Sequence, residues 1–398
     1  MRLLFVPLGW PTHYYPTVGM AWACQLRGHE VLVAAEPGMT EPVARSGIPV
    51  TPLGKGFDFI GDTEQNRRMW ATARRQDPQA QGELRAAISA GPVERYHQLA
   101  RATAPELIAF CRAWRPDVVV TDPMVFAGPL AGRVVGARVV RHLWGVDAAR
   151  NQGMPGSGAD ADGRALGWPA GLISLYAEYG QEVADDLADA TIDPCPPSLQ
   201  FPGGRGRLPV RYTPYNGGGV AAPPMGERDR PLVCVTWGTA AARLGGSESV
   251  GILRVLEAAG EVDADFVLAV RAQDAENLGP LPANVAVVRS MPLSVLLPQC
   301  DAIVHQGGAG TMMTAAHFGV PQLVLASIAD QRINAARLAA QGAGISLPLE
   351  DADARSIASG VRDLVKSPGL ADAARELRAE MRQMPEPAAV VSQLEDLR

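Results

Sequence analysis

Short apolar runs punctuate the chain. Each is followed by a longer stretch in which apolar residues recur every three or four positions. Residues 3–7 predict a strand, 18–27 a helix closed by Gly28, 30–35 a strand, 43–46 a helix and 48–52 a short strand. A polar, Arg- and Gln-rich stretch at 62–83 interrupts the pattern and predicts an insertion of loops and short helices. Beyond it, 94–114 read as a long helix ended by Arg115-Pro116, 117–121 as a strand, 127–135 as a helix and 138–143 as a strand. Strands alternating with helices predict a doubly wound parallel sheet.

Residues 153–167, rich in Gly, Ala and Asp, read as a mobile surface loop. Pro194, Pro196 and Pro197 bar any element interior, because proline removes backbone donors. Gly and Pro then crowd residues 203–231, which predicts a linker. The alternation restarts with strands at 232–236, 266–270, 285–288, 302–305 and 322–325. Helices are expected at 249–259, 293–297, 311–318, 331–341, 354–366, 370–384 and 388–397. At 398 residues the chain is too long for one compact core, and two domains of about 200 residues are expected. The division is 1–202, a linker over 203–230, 231–384, and a closing helix within 385–398 that returns to the first domain.

Composition narrows the function classes. A formal charge of −6 offers no general attraction to nucleic acid. The five cysteines form no CxxC pair and no Cys/His metal pattern, as expected of reduced thiols in a cytoplasmic protein. The apolar run after Arg2 is too short for a signal sequence, and no stretch approaches the ~20 apolar residues of a membrane span.

Chemistry concentrates where strands are expected to end. The strand at 302–305 runs into Gly307-Gly308-Ala309-Gly310, and Thr311 opens a helix. Glycines let a ligand approach the backbone, and a helix start offers unpaired N–H groups to an anion. Taken alone this is equally a tight turn without a ligand, and it fits neither GxGxxG nor a GKS/GKT loop. Trp237-Gly238-Thr239 follows another apolar strand. Asp330 and Gln331 follow the strand at 322–325 and suit sugar hydroxyls, although Asp330 also suits a helix cap. In the first half His13 lies in the loop after the first strand, where a neutral imidazole takes a proton from an acceptor hydroxyl. Asp122 ends the strand at 117–121 and can orient that ring; a solvated loop histidine is the alternative.

The chain resembles the family 1 glycosyltransferases of bacterial antibiotic biosynthesis, including the spinosyn-type rhamnosyltransferases. The resemblance rests on His13, Arg115 to Asp122, Cys195-Pro196-Pro197-Ser198-Leu199, His305 to Thr311, Gly319-Val320-Pro321-Gln322, Asp330-Gln331 and Met384-Pro385-Glu386-Pro387. It implies a GT-B fold, two Rossmann-like doubly wound domains facing across a cleft. It also implies inverting transfer from a nucleotide-diphosphate sugar, expected to be dTDP-linked, with neither metal nor cofactor. His13 would be the base, with Asp122 as its partner. His305, Gly307, Gly308, Gly310 and Thr311 would cradle the diphosphate, with Trp237, Gly238 and Thr239 assisting. Asp330 and Gln331 would hold the sugar. Ser290, Met291 and Pro292 would hold the base, although many members carry Trp where this chain has Ser290. A hydrophobic aglycone of polyketide type would lie against Tyr14, Trp70, Phe126, Trp144 and Tyr176, with ordinary core packing the alternative reading for each. The resemblance admits a homodimer. A non-catalytic nucleotide-sugar-binding helper of the same fold and a nucleotide-sugar epimerase are the competing readings.

Overall fold

A computed structural model describes residues 1–54, 91–159, 163, 165–221, 226, 228–237, 247–275 and 279–397. They form two compact units. The first comprises Met1–Asp193, Phe201–Val210 and Pro385–Arg398; the second comprises Pro194–Gln200 and Arg211–Met384.

In the first unit the described strands are β1 (Arg2–Val6), β2 (Glu30–Ala35), β3 (Val50–Pro52), β4 (Val118–Thr121), β5 (Arg138–His142), β6 (Ala190–Asp193) and β7 (Arg207–Pro209). All pair in parallel, in the order β3-β2-β1-β4-β5-β6-β7. The central strands are buried along their length, which accounts for unbroken runs such as Val118-Val119-Val120. The order reverses its winding between β1 and β4. At such a switch point the flanking connections leave to opposite faces and open a crevice at the carboxyl ends. Register there is pinned from the other end: the Asp117 carboxylate accepts the N–H of Arg2 at 2.7 Å. Leu3 then pairs with Val118 and Val6 with Thr121, so the two strands end level.

The second unit repeats the plan with β8 (Leu232–Thr236), β9 (Asp265–Val270), β10 (Val285–Arg289), β11 (Ala302–His305), β12 (Gln322–Ala326) and β13 (Gly344–Pro348), in the order β10-β9-β8-β11-β12-β13. Val233 and Val235 enter one buried apolar cluster while Leu232 and Cys234 enter another, so both faces of the sheet are covered. The switch lies between β8 and β11. Asp301 accepts the N–H of Leu232 at 2.8 Å, and Thr236 pairs with His305.

Several elements depart from the sequence expectation. Strand β6 was unmarked because half of its residues are polar; burial of Thr191 and Asp193 is made tolerable by Arg141 and Arg207. Strand β7 lies inside the expected linker and β13 is a half-buried edge, so neither shows a long apolar run. Part of the expected mobile loop at 153–167 is instead packed down. Buried Arg141 donates to Gly156 O and to Asp186 Oδ1, both at 2.6 Å.

The closing helix, Pro387–Asp396, packs on the helix Val18–Leu26 of the first unit and buries Val390, Val391 and Leu394 completely. Its Glu395 accepts from Arg27 and from His29, both at 2.9 Å. Replacing Leu394 by Ala is expected to lower unfolding free energy by about 2–5 kcal/mol, through lost burial and the cavity left behind. Denaturant titration measures this; an unchanged midpoint would show that the helix is not part of the cooperative unit.

Candidate active site

The segment after β1 is not an open loop. Trp10 precedes one helical turn, Pro11–Tyr14, which continues through the 3₁₀ turn Tyr15–Thr17 into the helix Val18–Leu26. Pro11 stands at the first helical position, where its fixed φ is suitable and its missing N–H costs nothing. His13 therefore sits on ordered backbone rather than on a loop. The N–H of Asp122 donates to Val6 O at 3.2 Å, so the segments leaving β1 and β4 start side by side. Asp122 Oδ1 accepts the Met124 N–H at 2.7 Å, and Oδ2 lies 2.7 Å from His13 Nδ1.

An ionised carboxylate only accepts, so Nδ1 carries the proton and the ring's lone pair is on Nε2. The Asp122 side chain is 2% exposed and that of His13 22%, so the acid is enclosed while the imidazole reaches solvent. Trp144, just past β5, places its ring centroid 4.3 Å from that of His13. The two rings are tilted by 51°, and the indole restricts rotation of the imidazole.

The other described aromatic acceptor candidates, Tyr14, Phe126 and Tyr176, are core side chains. Tyr14 is fully buried, with its hydroxyl 2.6 Å from Ser46 Oγ. Tyr176 is also buried and donates to Phe126 O at 2.8 Å; burial pushes its phenol pKa up. Phe126 is buried, 5.7 Å from the Trp168 ring. An aromatic residue at a pocket wall and one in a core look alike in sequence. Trp70 lies outside the described residues.

In the second unit the turn after β11 is shaped by buried amides and one imidazole. Gly307 has φ +96, and a Cβ there would lie 2.8 Å from Val324 Cγ1 and 3.1 Å from Gln331 O, so only glycine fits. Asn334 Nδ2 donates to Gly307 O at 2.9 Å. His305 is fully buried and both ring nitrogens are in use. Nδ1 accepts the Gly307 N–H at 3.0 Å, so Nε2 bears the proton and donates to Gln322 Oε1 at 2.9 Å. Neither ring nitrogen is left to donate to a ligand in this arrangement, so the place of His305 in the expected cradle is an indirect one. It is a neutral scaffold for the turn, with its pKa pushed down to about 4 by burial.

The helix begins earlier than expected, at Ala309, and runs to Phe318. Gly308 is its N-cap and supplies no side chain, and Gly310 and Thr311 lie in the first turn, whose N–H groups have no partner within a helix. No heavy atom lies within 4 Å of a Cβ built on Gly310.

The remaining donor candidates divide. Trp237 is buried at the end of β8, and its Nε1–H has no partner among the described residues; Gly238 and Thr239 lie outside them. Gln306 carries no sequence signal of its own, yet it is buried beside the turn, and its Oε1 has no partner among the described residues. Asp330 stands in the first turn of the helix Ala329–Ala340 and does not cap it. Gln331 does the capping: its Oε1 accepts the Ser327 N–H at 3.1 Å and the Ser327 hydroxyl at 3.2 Å, so that oxygen is committed. Ser290 holds an unusual φ of +51 at the end of β10, its N–H donating to Val270 O at 2.8 Å. Met291 is buried, and Pro292 caps the helix Leu293–Leu296. Among the described residues no group of three His, Cys, Asp or Glu side chains could hold a metal ion, and no helix is long and apolar enough to cross a membrane.

Residues 22–238 match the erythromycin biosynthesis protein CIII-like N-terminal domain, and residues 253–397 match the corresponding C-terminal domain. The chain belongs to this family of GT-B glycosyltransferases. The tylactone mycaminosyltransferase of Streptomyces fradiae is 34% identical over 428 residues, covering 100% of this chain and 92% of the relative. The TDP-daunosamine transferase of Streptomyces peucetius is 35% identical over 425 residues, covering 100% and 97%. A spinosyn rhamnosyltransferase solved with thymidine diphosphate superposes with a TM-score of 0.79 at 31% identity, covering 99% of this chain and 100% of that one. The same enzyme solved with spinosyn aglycone gives 0.78 at 32% identity, with the same coverage. These relatives are sugar transferases, and as a member of their family this chain is an enzyme; the helper and epimerase readings are set aside.

The buried histidine makes the second unit acid-sensitive in a defined window. Its folded pKa lies below the unfolded value near 6.5, so below 6.5 the unfolded chain binds a proton that the folded one refuses. Stability is complete above pH 6.5 and falls as the pH approaches 4, by on the order of 3 kcal/mol. Unfolding followed from pH 7 to 4.5 should show this loss, and His305→Gln should remove part of the slope. An identical slope in the variant would rule out the assignment.

Proposed function

We propose that this enzyme moves a deoxysugar from a dTDP-sugar to a hydroxyl of a polyketide-type aglycone, with inversion and without a metal. The observation that carries the reading is the His13–Asp122 hydrogen bond of 2.7 Å at the switch point of the first sheet. His13 Nε2 accepts the acceptor hydroxyl proton as the oxygen attacks the anomeric carbon. The bond from that carbon to the diphosphate oxygen breaks, and the nucleoside diphosphate leaves with the electron pair. Attack opposite the leaving group inverts the anomeric centre. The imidazolium formed is balanced by Asp122.

Charge on the leaving diphosphate is met by the first-turn N–H groups of Ala309–Phe318, a fixed positive end that supplies electrostatic stabilisation without a cation. Thymidine diphosphate in one related structure, TDP-daunosamine in the name of one relative and aglycone in another structure support these substrate classes. Asp330 is assigned to the sugar hydroxyls, Met291 and Pro292 to the base, and Trp144 to the acceptor.

His13→Ala is expected to lower turnover by at least about 100-fold, the scale of a lost general base, while dTDP affinity stays within twofold. Coupled release of nucleoside diphosphate measures the first and calorimetry the second; full turnover in the variant would sink the base assignment. Asp330→Ala should weaken dTDP-sugar more than dTDP. Equal loss for the two ligands would remove Asp330 from the sugar site.

A further inference from the structure

The residues after Val210, expected as linker, belong to the second unit and pack against its candidate donor-site elements. Asn216 Oδ1 accepts the Ser294 N–H at 3.0 Å, and its Nδ2 donates to Thr314 Oγ1 at 3.0 Å. A backbone N–H can only donate, so it fixes which end of the amide faces Ser294. Thr314 is fully buried and passes its own proton to Gly310 O at 2.7 Å. Gly219 lies so close to the base turn that a Cβ there would stand 2.5 Å from Ser290 O and 2.7 Å from Pro292 Cδ.

Ser294 is the second residue of the helix Leu293–Leu296, whose N-cap, Pro292, has no side-chain oxygen. The N–H at this position is the one an N-cap side chain normally satisfies. Asn216 therefore supplies the missing cap from a distant part of the chain. With the same amide it grips Thr314, in the middle of the helix whose first turn faces the diphosphate.

We propose that Asn216 is a positioning residue of the donor site, setting the separation between the turn 290–292 and the helix Ala309–Phe318 so that one nucleoside diphosphate engages both. The inference rests on the donor reading above. A nucleotide held at two points gains affinity because the second contact becomes intramolecular. Loosening the spacer lowers that gain and leaves each separate contact nearly intact.

The test compares the dissociation constants of thymidine, inorganic pyrophosphate and dTDP in wild type, Asn216→Ala, Thr314→Val and the double variant. Asn216→Ala should weaken dTDP about tenfold and leave thymidine and pyrophosphate within about twofold. Donor KM should rise more than kcat falls. Thr314→Val cuts the strap while keeping the Ser294 cap, so it should give the same pattern even if Asn216→Ala folds poorly. The double variant should be no worse than the stronger single, the signature of one shared interaction. Equal weakening of all three ligands, unchanged dTDP affinity or additive losses would overturn the proposal. Wild-type protein that bound dTDP no more tightly than pyrophosphate would overturn the donor reading with it.

Discussion

Two aspartates that take no part in chemistry determine where the chemistry can occur. Asp117 and Asp301 each precede a strand and accept the first backbone N–H of the neighbouring strand across the switch point. A parallel ladder could slip by a residue, and each slip would turn every side chain to the other face. With β1 level with β4, and β8 level with β11, the segments that leave those strands emerge at one height in each sheet. His13 meets Asp122 for that reason, and the turn at Gly307 lies beside the end of β8 for the same reason.

Burial changes what a residue type means. A histidine opening a glycine-rich turn suggests a ligand contact, yet His305 is enclosed and spends both nitrogens on Gly307 and Gln322. Its work is to hold the backbone so that the helix behind it presents unpaired N–H groups. Gln331 behaves similarly, committing its oxygen to capping its own helix. His13 is the partly exposed member of a pair whose acid is enclosed, which suits it to the proposed role of base. Polar groups at strand ends thus divide into those left partly exposed and those spent on shaping the backbone around them.

The connection between the units shows the same economy. Glycines and prolines at 203–231 speak for a chain without regular structure, and most of the described residues there have none. Irregular backbone still packs: Tyr212 is buried, with a phenol pKa raised to about 12, and Asn216 bonds to two donor-site elements. Composition reports the lack of repeating hydrogen bonds, which is different from a lack of contacts.

Much was legible in the sequence because it is local. Alternating apolar runs and helical spacing marked the central strands, whose burial on both faces favours unbroken apolar runs and leaves the polar residues mostly to their ends. The block His305 to Thr311 marked a backbone turn, since Gly307 adopts a φ that other residues resist. His13 and Asp122 were visible as polar groups at strand ends. Edge strands β7 and β13 were not, because a half-buried edge tolerates almost any residue. Tertiary structure alone decided which strand ends adjoin, that Trp144 lies beside His13 while Tyr14, Phe126 and Tyr176 fill the core, and that Asn216 caps a helix far along the chain. Those are contacts between distant residues, set by sheet order and close packing, and no local pattern encodes them.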